Sequence, residues 1–259
     1  MVPCNFHTHT VRCGHAFGTE REYIEKAIAE GFKTLGFSDH TPQPFRSGFV
    51  SGIRMRMDQL DDYVDTLKAL RDEYSDRIEL FIGLEVECYP DGLFEDLMKE
   101  VDSRDIDYLI LGQHFIRGEE HGSYSGNATS DEDDLATYVD EVIAALDTGR
   151  FLYLAHPDLL NFTGDESIYL KHMERLCSYA IDHHIPLEVN GLGAEDMRWY
   201  PRRDFFTLAT DMGCTLVYGA DAHRPESVVQ PEGVPFMGEL CRDCNITFQN
   251  EVLTVKKKT

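Results

Sequence analysis

Seven short apolar runs recur along the chain, at residues 2–6, 34–37, 78–84, 108–111, 151–155, 186–189 and 215–218. Helix-like amphipathic stretches lie between them, among them 19–31, 57–74, 131–149 and 166–183. Unbroken apolar runs of four to seven residues suit parallel strands covered on both faces. Thr19 followed by Glu22 reads as a capping box, and Gly31 as the stop of the same helix. Seven strand–helix units predict an α/β fold closed into a barrel. The chain has 259 residues and no Pro/Gly/Ser linker that would split it. A barrel of about 250 residues is one domain, so a single domain over 1–259 is expected. Residues 41–56 and 115–130 are long, polar and Gly-rich, as loops at a catalytic face are. The tail predicts a short helix near 236–242 and a terminal strand near 246–255.

All but one of the apolar runs are followed at once by His, Glu or Asp. The first ends in His7 and His9, the second in Asp39 and His40, the third in Glu85 and the fourth in His114. The fifth ends in His156 and Asp158, the seventh in Asp221 and His223, and His15 lies just after the first. The sixth ends in Asn190. In a parallel barrel these ends share one face. Imidazole and carboxylate are ligands of zinc, iron and manganese. In an extended segment an H-x-H pair points both rings the same way, so one ion can take both. Asp221 and His223 repeat that spacing, and Glu85 has two oxygens with which to bridge two ions. Singly, each residue has an ordinary alternative. His156-Pro157 suits a strand-end turn, His40 beside Asp39 a hydrogen-bonded pair, and His114 a packed histidine. Seven of the 11 histidines at one face argue for metal.

The segments FHTHTVRCGH (6–15), GFKTLGFSDHTP (31–42), GLEVE (83–87), LGQHF (111–115), LAHPD (154–158), LEVNGLG (187–193) and YGADAHRPESV (218–228) carry a resemblance. Together they resemble the PHP (polymerase and histidinol phosphatase) superfamily, in its histidinol-phosphatase-like branch. The resemblance implies a distorted (β/α)7 TIM-like barrel with the active site at the C-terminal ends of its strands. It implies three divalent transition-metal ions, zinc, iron or manganese. His7, His9, Glu85 and Asp221 would hold the first, Glu85, His114 and His156 the second, and His15, His40 and His223 the third. Ala220 stands where the family often has Ser, a change that puts none of these ligands in doubt. The implied activity is hydrolysis of a small phosphate monoester by a metal-bridging hydroxide, with Glu85, Asp221 and His223 as catalytic residues. L-histidinol phosphate, giving L-histidinol and phosphate in histidine biosynthesis, is the leading substrate. The alternatives are another phosphorylated metabolite, phosphotyrosine, or a metal-binding module without catalysis.

A phosphate also calls for cationic side chains. Arg117 follows the His114 strand end, and Arg198 and Arg202 follow the sixth strand. A guanidinium fork matches two phosphate oxygens, so these are the expected phosphate-binding residues. Arg12 is a weaker candidate, Trp199 and Tyr200 could wall the pocket, and Glu119 and Glu120 could meet a substrate cation. The formal charge of −23 counts against a nucleic-acid partner. No apolar run is long enough to span a membrane, and the first residues lack the features of an export signal. Seven cysteines, an odd number, fit reduced thiols and a cytoplasmic location. Cys13 near the ligands, and Cys241-x-x-Cys244, are read as ordinary reduced cysteines. The sequence leaves the oligomeric state open.

Overall fold

The computed structural model describes residues 1–90 and 92–256. The first half contains β1 (Cys4–Asn5), α1 (Glu20–Glu30), β2 (Thr34–His40), α2 (Leu60–Glu73), β3 (Glu79–Val86), α3 (Leu93–Asp102) and β4 (Tyr108–Leu111). Its strands pair in the order β1-β2-β3-β4, all parallel. A small antiparallel hairpin, β5 (Phe115–Ile116) and β6 (Ser123–Tyr124), lies within the expected 115–130 loop. Then come α4 (Glu132–Leu146), α5 (Glu166–Asp182), β7 (Leu187–Asn190), α6 (Gly191–Glu195), α7 (Arg203–Met212), β8 (Leu216–Gly219) and α8 (Met237–Asp243). β7 and β8 are parallel neighbours.

Two seams close the ring. The fifth apolar run makes only isolated bridges, from Leu154 to Leu111 and to Leu187. It is nonetheless bonded on both sides: Leu152 N donates to Leu109 O at 2.7 Å, and Glu188 N to Leu154 O at 3.0 Å. At the other seam Thr8 bridges to Ala222, and His9 N donates to Ala222 O at 2.9 Å. Seven parallel positions thus curl into a distorted TIM-like barrel. Among the described residues, no helix is long and apolar enough to cross a membrane.

Local chemistry explains the elements. Thr19 and Glu22 form the capping box of α1, and Gly31 ends it at φ 86°. Asp131 and Asp165 cap α4 and α5 by accepting from Asp133 N and Ser167 N. Inward residues from several strands, including Phe6, Phe81, Tyr108, Ile110, Tyr153 and Val217, fill the barrel. The larger apolar cluster lies between the strands and their helices.

The expected strand near 246–255 does not form. A single 3-10 turn at Asn250–Val252 takes its place. The buried Asn250 side chain accepts from Tyr218 N at 2.8 Å and donates to Tyr218 O at 2.8 Å and Cys4 O at 3.1 Å. One amide thereby does the work of a ladder rung between β8 and β1, so no strand is needed there.

Candidate metal centre

The register of β2 against β3 sets His40 beside Glu85, and the ring closure sets Thr8 beside Ala222. The strand ends therefore converge on Glu85, which is 1% exposed. Glu85 Oε1 lies 2.8 Å from His156 Nε2 and 3.5 Å from His114 Nε2. Its Oε2 lies 2.9 Å from His40 Nδ1 and 3.6 Å from the Nε2 atoms of both His7 and His9. Asp221 Oδ1 lies 3.0 Å from His9 Nε2 and 3.3 Å from His7 Nε2. The His15 and His223 rings stack at 4.6 Å, with His40 5.4 Å from His15. A β-carbon at Gly112 would overlap the Glu85 carboxylate, so the carboxylate's place depends on that glycine. His156 and Asp221 both hold positive φ, 29° and 51°, a strained backbone of the kind kept at functional sites.

Many of these atoms approach one another without the alignment of a hydrogen bond. His7 Nε2, His9 Nε2, His40 Nδ1, Glu85 Oε2, Asp221 Oδ1 and His223 Nε2 are buried and have no hydrogen-bond partner among the described residues. A buried unpaired polar atom costs about 1–3 kcal/mol. Six in one place form a donor set that a metal ion satisfies. Several donor groupings are compact enough to hold an ion: His7, His9 and Glu85; His7, His156 and Asp221; His40, Glu85 and His114; His15, His40 and His223. His40 thus stands between two groupings, and Cys13 lies close to His9 and His223.

Electrostatics agree with a cation site. Burial opposes ionisation of Glu85 and Asp221, yet the surrounding histidines hold both well below the usual carboxylate range. Burial likewise opposes charge on His9, but Asp221 and Asp39 override it and raise the ring to about 9. His40 and His223 go the other way. Burial, and next His9 for His223, push them well below 6.5, so both are neutral at pH 7.

Behind the rings stands a second layer of carboxylates. Glu188 accepts from His7 Nδ1 at 2.8 Å, Asp39 lies 3.4 Å from His9 Nδ1, and Glu87 lies 3.1 Å from His114 Nδ1. A carboxylate only accepts, so each places the proton on Nδ1 and frees Nε2 for a metal. Asp39 lies on β2 and Glu87 just past β3, while β7, which ends in no ligand, supplies Glu188. Glu188 also accepts from His156 N at 3.0 Å and Asn190 Nδ2 at 2.9 Å, and Asn190 Nδ2 reaches Asp221 Oδ2 at 3.1 Å.

The model of the PHP domain matches residues 5–191. The chain belongs to the PHP domain family. It is 30% identical over 234 residues to a Deinococcus radiodurans protein named Probable histidinol-phosphatase, covering 87% of this chain and 88% of that one. The Schizosaccharomyces pombe protein of the same name is 23% identical, with 88% and 82% covered. Among solved structures, a histidinol phosphate phosphatase from Lactococcus lactis, complexed with zinc, L-histidinol and phosphate, superposes with a TM-score of 0.69. That match has 17% identity and covers 98% of this chain and 99% of the other. It shows a shared PHP barrel fold.

In this PHP barrel a cavity of about 440 Å³ opens beside His15, His40, His114, Asp221 and His223. Its farther walls include Ile53, Phe115, Tyr124, Tyr200, Asp196 and Arg198. Of the three arginines expected at the phosphate, only Arg198 lines it. Its guanidinium is paired with Asp196 at 2.8 Å and lies 3.2 Å from Tyr200 OH. Arg117 points away and pairs with Asp134 at 2.7 Å, its backbone turned to φ 62°. Arg202 pairs with Asp204 at 2.5 Å, lies 3.8 Å over the Tyr169 ring and donates to Phe162 O. Both were placed near the mouth by their strand ends, and the acidic neighbours that claim them come from helices the strand pattern does not orient. Arg224, which follows His223, lines the cavity, is exposed and forms no ion pair with a described residue. Its position one residue after a candidate ligand was the signal that could have found it. Arg12 is held by Glu20 and Asp62, Glu119 is bound to Arg54, and Trp199 donates to Leu159 O.

Proposed function

We propose that residues 1–259 act as one domain that hydrolyses a small phosphate monoester, L-histidinol phosphate, at a centre of three divalent metal ions. The observation that carries the reading is the cluster of buried, unpaired ligand atoms at the floor of a cavity that also holds Arg198 and Arg224. His7, His9, Glu85 and Asp221 would hold one ion, Glu85, His114 and His156 a second, and His15, His40 and His223 a third. When bound, the ions act as Lewis acids that sharpen a water nucleophile at neutral pH and offset phosphoryl charge. The protein's own residues prepare the site for that chemistry. Glu188, Asp39 and Glu87 fix the tautomers of His7, His9 and His114. Arg198 and Arg224 offer guanidinium donors to the phosphate on the solvent side, where a fork of N–H groups fits two oxygens. Tyr200, 2% exposed, sits under Arg198 and against the His156 ring, excluding water from that wall. Asp196 is the acid closest to Arg198 and suits a substrate cation once phosphate takes the guanidinium.

The homologues named histidinol-phosphatase support this substrate over phosphotyrosine. The test is a screen of metal-replete protein against phosphorylated metabolites, with elemental analysis of the same sample. Turnover of histidinol phosphate at least about 10²-fold above a generic aryl phosphate in kcat/KM is the expected result. A different ester turned over faster would replace the substrate and keep the chemistry. Fewer than one ion per chain in active protein would remove the metal centre.

A further inference from the structure

Two residues beyond Glu85, just past the end of β3, Glu87 is fully buried. It accepts from His114 N and Phe115 N, both at 3.1 Å, and from Tyr89 OH at 2.8 Å, besides the His114 ring. A buried arginine completes its shell. Arg54 belongs to the 41–56 loop, and its side chain is 1% exposed. One guanidinium nitrogen pairs with Glu87 and lies 2.9 Å from Tyr89 OH. Arg54 Nε pairs with Glu119, in the 115–130 loop, at 2.7 Å. Ile53 on the first loop, and Phe115 and Tyr124 on the second, line the site cavity. One cation thus joins three segments that are far apart in sequence.

We propose that Arg54 is a positioning residue that ties both cavity loops to the His114 side of the metal centre. The inference rests on the phosphatase reading above. Through Glu87, Arg54 fixes the His114 ring with Nε2 facing Glu85. Through Glu119 it holds the loop walls that meet the substrate. Without Arg54, two buried carboxylates would face each other with no cation between them, driving the loops apart. Lysine keeps the charge but lacks the fork that spans both acids.

The test uses the full chain with zinc or cobalt bound. Arg54→Met should weaken retention of the most labile ion about 10- to 100-fold in competition with a chelator, the range for a lost outer partner of a ligand histidine. It should also change the visible spectrum of the cobalt form and raise KM. Arg54→Lys should recover part of both. Arg71→Met breaks a comparable pair with the buried Asp107 far from the ligands. It should lower stability and leave the cobalt spectrum alone. An Arg54→Met protein with wild-type ion retention and spectrum overturns the proposal. If that variant does not fold, Glu87→Gln and Glu119→Gln divide the question. The first should alter the spectrum, and the second should raise KM at least about 5-fold while the spectrum stays the same. An unchanged spectrum in Glu87→Gln overturns the proposal equally. Wild-type protein that turns over no phosphate ester would refute the phosphatase reading, while ion retention and the cobalt spectrum would still decide the role of Arg54.

Discussion

Glu188→Gln changes one oxygen to nitrogen and almost nothing in volume, yet the structure gives it no harmless orientation. Glu188 Oε1 faces His7 Nδ1, and Oε2 faces two donors, His156 N and Asn190 Nδ2. If the amide oxygen stays with the two donors, the NH2 faces His7 Nδ1. The ring must then accept there and carry its proton on Nε2, which closes that atom to a metal. If the amide turns over, its NH2 meets two N–H donors in a fully buried site. Either outcome leaves a buried mismatch costing about 1–3 kcal/mol, which corresponds to roughly 5- to 150-fold in an equilibrium constant. Zinc competition against a chelator should show that loss at the His7 site, and kcat should fall with it. The absence of a β-carbon at Gly219 is what lets Glu188 sit there, so Gly219→Ala should act the same way. A Glu188→Gln protein that keeps wild-type ion affinity and kcat would refute the tautomer argument.

Glu85→Gln should lose at least about 10²-fold in kcat, the scale of a lost strong electrostatic stabiliser, while circular dichroism shows a folded barrel. Near-normal turnover with all ions retained would count against Glu85 as the shared ligand. Arg198→Ala should lower kcat/KM for a phosphate ester roughly 10- to 150-fold, the worth of a bidentate guanidinium contact. Arg117→Ala, whose partner is Asp134 on the outside of the barrel, should stay within about twofold in the same assay. Asn250→Ala removes three buried hydrogen bonds and should lower the unfolding free energy by about 2–4 kcal/mol in urea titration; a change under about 1 kcal/mol would mean that the β1–β8 seam does not depend on it.

The barrel and the face of the site were legible because both are periodic. Strand length, helix spacing and the residue at each strand end lie in local sequence, and His7, His9, Glu85 and His156 converge as that pattern implies. What the sequence hid is set by partners distant along the chain. Arg117 and Arg202 have the right charge and sit near the right strand ends, but Asp134 and Asp204 claim them. The fifth strand reads as strongly as the others and yet makes only bridges, because its register depends on both neighbours. Near Asn250 the apolar residues promise a strand, whereas a side-chain amide fills the gap. Asn190 broke the strand-end pattern and carried no visible meaning until Glu188 and Asp221 appeared on either side of it.

The bridge between Thr8 and Ala222 brings the earliest and latest ligand segments together, although more than 200 residues separate them. An ion held by His7, His9 and Asp221, as proposed above, would therefore staple a loop of more than 200 residues. Closing such a loop carries an entropy cost that grows as the logarithm of its length, and bound metal offsets it. Metal bound there would thus favour the closed ring over any form in which the last strand has peeled away. During synthesis no nascent fragment ending before residue 221 could complete that staple, so the proposed ion would wait for Asp221 to be made.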